Sequence, residues 1–174
     1  FDSDLWHGHY YVKEEQHLPG YLPNDEIWEI DATYEDQNLP AILLEKEVEN
    51  QPTESYFTKT DIVTGEPVEG AKLQILDEEG TVVREWITTK QEHLEYALPA
   101  GNYILHEELP PLEDGYVSAE DVSFEVKEDG TITKVEMKDD FSKVDISKTD
   151  ITGDTELVGV KLQVLNSKEE VLDE

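Results

Sequence analysis

An internal repeat constrains the fold of this 174-residue chain more than any other feature of the sequence. Residues 5–15 align without gaps on residues 98–108, at an offset of 93 residues (98 − 5). The sequence Lys-Thr-Asp-Ile at residues 59–62 returns at residues 148–151, at an offset of 89 residues (148 − 59). Self-similarity at a fixed spacing is typical of an array of like units. The two offsets therefore indicate a unit of about 90 residues.

The repeat divides the chain into three parts. Residues 1–53 correspond to the C-terminal half of one unit, residues 54–141 to a complete unit, and residues 142–174 to the N-terminal half of a further unit. In the complete unit, short runs of alternating apolar and polar residues lie between turn signals such as Thr-Gly and Asp-Gly. Short strands at this spacing are typical of β-sandwiches. The predicted strands are residues 55–61, 71–76, 81–87, 93–97, 102–108, 121–127 and 131–138.

Three strands of the complete unit continue an apolar face into an ionisable residue. Alternate residues of a strand share a face, which places Lys59, Glu107 and Asp139 on the inward side. Charges are costly to bury unless they are paired or chemically consumed. Glu108 and Asp140 are rival candidates for the two acidic positions, but alternation directs them to the opposite face. The triad of one lysine and two carboxylates is the strongest chemical signal in the sequence.

The composition excludes several classes of partner. The formal net charge is −30, from 43 acidic and 13 basic residues, and such a surface repels nucleic-acid phosphates and anionic membranes. The chain contains no cysteine, which excludes disulfide bonds and thiolate metal sites. We expect neither a membrane span nor a signal peptide, since no long apolar run and no basic-plus-apolar leader is present. The apolar residues, 37% of the chain, alternate with polar ones, which favours a folded β-sheet over disorder.

Other features of the sequence have ordinary structural interpretations. His7 and His9 are spaced like a metal-binding pair, but two imidazoles without a third ligand are more typical of an exposed strand or turn. Trp6, Trp28 and Trp86 could form a ligand platform, although packing in the core or at its rim is the expected role. No nucleophile elbow, phosphate loop or zinc-protease motif occurs. We therefore expect no metal, no cofactor and no enzyme acting on an external substrate.

The motifs of the complete unit resemble the Cna B-type, or SpaA-like, prealbumin-fold domains of Gram-positive surface proteins and pilins. That family's pattern opens with a Lys-Thr-Asp strand, then Thr-Gly, Gly-Ala-x-Leu and Leu-Pro-x-Gly-x-Tyr. A glutamate strand, Pro-x-Gly-Tyr and a last strand ending in Asn or Asp follow. The matching positions are residues 59–61, 64–65, 70–73, 98–103, 107, 111, 115–116 and 137–139, with two extra residues before Gly115. The resemblance implies an all-β fold of tandem prealbumin-like (reverse-Ig) β-sandwiches.

The resemblance also implies a self-formed isopeptide bond between Lys59 and Asp139, assisted by Glu107. Inside an apolar core the lysine could pass its proton to the carboxylates. A protonated Glu107 would polarise the Asp139 carbonyl while the amine attacks and water leaves. Folding holds the reactants together, and well-oriented intramolecular reactions reach effective molarities of roughly 10⁵–10⁸ M. The alternative is an uncrosslinked ion pair between Lys59 and Asp139 at one end of a sheet.

The two half units carry the parts of a second triad. By the same alternation, Glu14 and Asn50 resemble a glutamate and an acceptor whose lysine lies before residue 1. Lys148 resembles a lysine whose glutamate and acceptor lie beyond residue 174. One hypothesis is that residues 142–174 of one molecule complete residues 1–53 of another, head to tail. Lys148, Glu14 and Asn50 would then form a second crosslink with release of ammonia. The alternative is that the half units are pieces of neighbouring repeats in a longer stalk.

The resemblance implies a structural role outside the cell. We expect a stalk or shaft module of a bacterial cell-surface adhesin or pilin, located at the cell wall and stiffened by the isopeptide bond. Its partners would be neighbouring repeats of the same protein. The alternative is an adhesin module that recognises host matrix or glycan through its loops.

Overall fold

The computed structural model describes residues 6–33, 45, 47–111, 115–141, 146–151 and 157–173, and every regular element in these ranges is a β-strand. None of them contains a helix long and apolar enough to cross a membrane. The chain divides into two units, residues 1–141 and residues 142–174. The strands are β1 (His9–Lys13), β2 (Ile27–Asp31), β3 (Glu54–Asp61), β4 (Lys72–Leu76), β5 (Val82–Ile87), β6 (His93–Tyr96), β7 (Gly101–Leu109), β8 (Val122–Val126), β9 (Thr133–Asp139), β10 (Val164–Leu165) and β11 (Val171–Asp173).

Strands β3 to β9 form a sandwich of two sheets. One sheet has three strands in the order β6-β3-β9, and the other has four in the order β5-β4-β7-β8. The first and last of these strands, β3 and β9, are parallel neighbours, while all the other pairs are antiparallel. The predicted strands of the complete unit agree with the observed ones to within two residues at each end. The prediction of an all-β sandwich is confirmed.

The core lies between the two sheets, and the alternation of β3 and β9 produces it. Every second residue of β3, from Ser55 to Asp61, is buried, and β9 buries every second residue from Val135 to Asp139. Phe57 packs against the rings of Trp86 and Phe124, with ring centroids 5.3 Å apart in both cases. The other buried apolar residues of the core cluster are Ala71, Leu73, Ile75, Leu98, Tyr103, Leu105, Val126, Val135 and Met137.

The three tryptophans differ in their surroundings. Trp86 packs against the core and stacks on His93 with ring centroids 4.1 Å apart. Trp28 is 8% exposed, but Trp6 is 89% exposed. Packing in the core or at its rim is therefore confirmed for Trp28 and Trp86 and wrong for Trp6. His9 lies 3.7 Å from a carboxylate oxygen of Asp31, and no three metal-ligating side chains cluster within the described ranges.

The segment around His17 and Gly20 is joined to the sandwich by hydrogen bonds that centre on Glu128. One carboxylate oxygen of Glu128 lies 2.8 Å from Nε2 of His17. The other accepts hydrogen bonds from the backbone amides of Gly20 and Ala100, each at 3.3 Å. Thr53 extends the contact, since its amide donates to the carbonyl of Gly20 at 2.9 Å and its carbonyl accepts a hydrogen bond from the amide of Ala97 at 3.0 Å. We call these five residues, His17, Gly20, Thr53, Ala100 and Glu128, the joint.

Gly20 is required at the joint for two reasons. Its φ of +84° lies in the left-handed region, where residues with a Cβ are strained. A Cβ built at this position would also lie 2.4 Å from the carbonyl oxygen of Ala97, which is too close for any real contact. The backbone at Gly20 therefore touches the backbone of the sandwich at Ala97 directly.

Strands β1 and β2 reproduce the pairing of β7 and β8. Tyr10 lies opposite Ile30 in the first pair, and Tyr103 lies opposite Phe124 in the second. Each tyrosine donates its hydroxyl to the carbonyl oxygen four residues before it, at 2.6 and 3.0 Å respectively. The tyrosines of β1 and β7, 93 residues apart (103 − 10), thus share their local hydrogen bonding, and the residues opposite them are 94 residues apart (124 − 30).

The second unit reproduces part of the β3–β5 region in the same way. The antiparallel pair β10–β11 has a register shift after Val164, as the pair β4–β5 has after Ile75. The carbonyl of Lys148 accepts a hydrogen bond at 2.9 Å from the amide nine residues later, as the carbonyl of Lys59 does. All these equivalences have the offset of 89 residues found in the sequence (164 − 75 and 148 − 59).

Candidate functional site

The three residues of the triad come from three strands in both sheets. Lys59 lies near the end of β3 and Asp139 ends β9, the parallel neighbour of β3. In this pairing Asp139 lies opposite Asp61, two residues beyond Lys59. Glu107 lies on β7 of the facing sheet. A long lysine side chain can therefore reach along its own sheet to Asp139 and across the core to Glu107.

The structure brings these three side chains into direct contact. Nζ of Lys59 lies 2.9 Å from Oε1 of Glu107 and also contacts Oδ1 of Asp139. The exposed fraction of the side chain is 1% for Lys59 and 0% for each of the two acids. Three ionisable groups are thus held against one another where water does not reach them.

The polar atoms of this cluster are incompletely satisfied. Oε2 of Glu107 accepts a hydrogen bond from the backbone amide of Ala119 at 2.7 Å, which fixes the carboxylate with its other oxygen toward Lys59. Neither Nζ of Lys59, nor Oε1 of Glu107, nor either oxygen of Asp139 makes a well-angled hydrogen bond in the described part of the chain. Buried polar atoms without hydrogen bonds are costly and uncommon.

Burial also shifts the pKa of the Asp139 carboxyl. Removal from water raises the pKa of the Asp139 carboxyl above its ordinary value, because the low dielectric disfavours the charged form. The contact with Lys59 opposes this effect, while the negative charges of Glu107 and Asp61 add to it. The net direction is upward, toward the protonated form of the Asp139 carboxyl.

The rival acids lie elsewhere. Glu108 points to the outer face, where it lies 2.6 Å from Nζ of Lys72 with 42% of its side chain exposed. Asp140 accepts a hydrogen bond from the amide of Phe141 at 2.8 Å. The assignment of the outer face by strand alternation is confirmed for Glu108, whereas Asp140 lies just beyond the end of β9 and is partly buried.

Two supporting residues were missed in the sequence. Asp61 is 3% exposed and shares the inward face of β3 with Lys59, so strand alternation could have identified it. Its carboxylate accepts hydrogen bonds from the amides of Val63 and Thr64 and from the hydroxyl of Tyr116, at 2.8, 2.7 and 3.1 Å. These bonds hold the end of β3. Ala119 was missed because it acts through its backbone, which no side-chain pattern reveals.

Two residues of the predicted second triad also lie together. The amide nitrogen of Asn50 donates to Oε1 of Glu14 at 3.1 Å. Oε2 of Glu14 accepts the backbone amide of Asn24 at 3.0 Å, as Oε2 of Glu107 accepts that of Ala119. The third residue, Lys148, belongs to the second unit and is exposed.

Residues 54–140, which contain the whole buried triad, match the family described as SpaA, prealbumin-like fold domain. The chain belongs to the SpaA family. The resemblance found in the sequence is thereby confirmed, and the sandwich of β3 to β9 is the SpaA domain. No curated protein matches the chain.

Solved structures with related folds include one from Bacillus anthracis and several pilins. The chain is 26% identical to the Bacillus anthracis TIE protein with a TM-score of 0.53, and the match covers 95% of this chain but only 31% of the other. The shaft pilin SpaA from Lactobacillus rhamnosus GG is 18% identical with a TM-score of 0.45, over 78% of this chain and 65% of the pilin. The minor pilin GBS52 from Streptococcus agalactiae is 14% identical with a TM-score of 0.48, over 86% and 66%.

Proposed function

We propose that the SpaA domain of this chain is a load-bearing module of a bacterial surface stalk or pilus shaft, closed by an isopeptide bond between Lys59 and Asp139. The observation that carries the proposal is the fully buried contact of Lys59 with Glu107 and Asp139, in which the charged atoms lack hydrogen bonds. A covalent amide removes two of the buried charges and thus the cost of burying them.

The bond forms by condensation of an amine with a carboxylic acid. Nζ of Lys59, in its neutral form, attacks Cγ of Asp139, and the new Nζ–Cγ bond replaces one Cγ–O bond. Glu107 takes a proton from the amine and gives one to the departing oxygen, which leaves as water. Because Ala119 holds Oε2 of Glu107, its Oε1 stays in place for this transfer. The raised pKa of Asp139 favours the protonated acid that this step needs.

The fold both holds the reacting groups close together and excludes water from them. The triad lies on three paired strands, so the reacting atoms are already in contact when the sandwich forms. Because the fold already holds the two groups together, the reaction does not have to include the loss of entropy that an encounter of free reactants in solution requires. Because only 1% of the Lys59 side chain and 0% of the two acidic side chains are exposed, water has little access for the reverse hydrolysis.

The position of the bond explains the mechanical role. Lys59 is on the first strand of the domain and Asp139 ends the last strand. A pulling force applied to the two ends of the domain therefore acts on these two strands, which the bond joins covalently. The chain from Lys59 to Asp139, a separation of 80 residues (139 − 59), would span about 270 Å if fully extended. In the crosslinked domain this length cannot be released, because the load passes through covalent bonds.

The flanking segments support a tandem array. The pair β1–β2 repeats the pairing of β7–β8, and the second unit repeats local features of the β3–β5 region. The joint at Glu128 links residues 6–53 to the SpaA domain through backbone contacts. We infer a series of like domains outside the cell, as in the surface proteins and pilins that the sequence resembles, with no enzymatic activity on other molecules.

Force spectroscopy tests this function directly. The chain is pulled through its two ends, and the variant Glu107→Ala is the comparison because it lacks the proton carrier. We expect the variant to lengthen by about 270 Å more than the wild type when the SpaA domain unfolds. Equal extension of the two proteins would refute the load-bearing bond.

A further inference from the structure

Asp61 is a buried acid that lies next to the acid of the triad. It is directly opposite Asp139 in the parallel pairing of β3 and β9. Both residues are on the inward faces of their strands, and they are 3% and 0% exposed. Neighbouring strands lie about 4.8 Å apart. The two carboxyl groups are therefore held side by side, away from water.

The two carboxyl groups differ in their hydrogen-bond partners. Oδ1 of Asp61 accepts hydrogen bonds from the amides of Val63 and Thr64 at 2.8 and 2.7 Å, and from the hydroxyl of Thr64 at 3.0 Å. Oδ2 accepts one from the hydroxyl of Tyr116 at 3.1 Å. In the described part of the chain, neither oxygen of Asp139 makes a well-angled hydrogen bond. Because donated hydrogen bonds stabilise a carboxylate, Asp61 is the one of the two acids that keeps its negative charge.

The pKa directions of the two acids agree with this division. Hydrogen bonds, above all that from the amide of Thr64, hold the pKa of Asp61 below its ordinary value, although burial opposes them. Burial raises the pKa of Asp139, and the contact with Lys59 opposes the rise. The negative charges of Glu107 and Asp61 act in the same direction as burial. These three groups, two on β3 and one on β7, are the charged side chains that face Asp139 among the described residues.

We propose that Asp61 is a positioning residue for the isopeptide bond, and that its fixed negative charge keeps the neighbouring Asp139 in the protonated form that reacts with Lys59. Two carboxyl groups held against each other are costly to ionise together, so the hydrogen bonds of one select the other as the protonated partner. In the reaction, the hydroxyl of the acid and one proton of the amine leave together as water. Asp61 keeps its charge and forms no bond. The inference rests on the proposed function, because it concerns the same bond.

The charge of Asp61 also acts on the amine, and this effect has the opposite sign. Asp61 shares the inward face of β3 with Lys59, and a negative charge favours the charged, unreactive form of a lysine. Removing the charge would then speed the reaction, whereas the effect on Asp139 predicts that it slows. The register favours the effect on the acid, since Asp61 lies directly opposite Asp139 while Lys59 is two residues back along its own strand.

The first test measures bond formation in the full chain as a function of pH. Chain kept unfolded in urea is diluted into buffers from about pH 4 to about pH 9, and samples quenched at intervals are analysed by intact mass for the loss of one water. Tryptophan fluorescence follows folding separately. In Asp61→Asn, Oδ1 remains for the two backbone amides but the charge is absent. We expect this variant to fold, to form the bond more slowly than wild type at about pH 7, and to have its pH profile displaced to lower pH.

Glu136→Gln is the matched control for charge. It removes one negative charge from the outer face of β9, where Glu136 accepts a hydrogen bond from the hydroxyl of Thr60 at 2.9 Å. Its rate and pH profile should equal those of wild type. An unchanged profile in Asp61→Asn, or a faster reaction, would overturn the inference. Failure of the proposed function would instead appear as a wild-type chain that loses no water at any pH.

The second test needs neither the bond nor a change at Asp61. Lys59→Met has no amine and forms no amide, so carbon-13 NMR of the side-chain carboxyls can follow Asp61 and Asp139 as the pH is varied. We expect Asp61 to ionise at the lower pH of the two, because it has the hydrogen-bond donors. The reverse order would overturn the inference even if Asp61→Asn does not fold.

Discussion

Replacing Glu107 by glutamine removes the group that carries protons in the condensation while preserving the shape of the side chain. The amide oxygen of glutamine can still accept the hydrogen bond from Ala119, now observed at 2.7 Å to the carboxylate. Lys59 and Asp139 remain as an ion pair. The variant should therefore fold into the same sandwich without the covalent bond.

The magnitude of the effect follows from the loop that the bond closes. Lys59 and Asp139 are 80 residues apart (139 − 59), and linking two points at this separation stabilises a domain by about 4–5 kcal/mol through the entropy of the unfolded chain. For a domain of this size, the corresponding loss in midpoint temperature for Glu107→Gln is roughly 15–40 °C. Urea titration followed by circular dichroism measures the free energy of unfolding, and heating measures the midpoint.

Glu108→Gln is the matched control for this experiment. It removes the same charge from the next residue, whose carboxylate contacts Lys72 on the outer face. Exposed ion pairs contribute about 0–1 kcal/mol, so this variant should unfold near the wild-type midpoint. If Glu107→Gln unfolds together with Glu108→Gln and the wild type, the stabilisation does not come from a crosslink and the reasoning is refuted.

Three further predictions concern the core and the joint. Gly20→Ala should destabilise the chain by more than Gly80→Ala, since both glycines have a positive φ but, of the two, only Gly20 would bring a Cβ against a backbone carbonyl. The left-handed strain alone costs about 1–2 kcal/mol in each variant. Equal losses in the free energy of unfolding, measured by urea titration, would contradict the close contact at Gly20. Phe57→Ala should cost about 3–5 kcal/mol in the same assay, because the ring is 2% exposed; a loss below 1 kcal/mol would contradict its place in the core. The contact with His17 holds the pKa of Glu128 below its ordinary value, so this acid contributes stability that is present above its unfolded pKa and lost as the pH falls through the folded one. The stability advantage of wild type over His17→Ala should therefore shrink as the pH is lowered from about 5, just above the unfolded pKa of a glutamate, to about 3, and a constant difference would contradict the pairing.

Strand alternation predicted most of the domain and the site, because the two-residue period of a strand directly sets which side chains are buried. It assigned Lys59, Glu107 and Asp139 to the inside and Glu108 to the outside, as the structure has them. The same period applied to Asp61 would have predicted a fourth buried ionisable group. For these residues the local geometry of a strand is enough to predict which side chains are buried.

The joint could not be predicted in this way. His17 and Glu128 are 111 residues apart, and nothing in the sequence around either residue marks the other as its partner. The need for Gly20 arises from the carbonyl of Ala97, a backbone atom that has no sequence signature. Such contacts depend on how separate segments pack, which a local period does not encode. Trp6 shows the opposite error, since a large apolar side chain was expected to pack and is exposed.

The bond between Lys59 and Asp139 is tested most directly by the mass of the denatured wild-type chain, with fragmentation to locate any link. The account predicts a mass one water below that of the sequence, together with a branched fragment that joins the peptide of Lys59 to the peptide of Asp139. The full sequence mass, with the two peptides released separately after digestion, would contradict it.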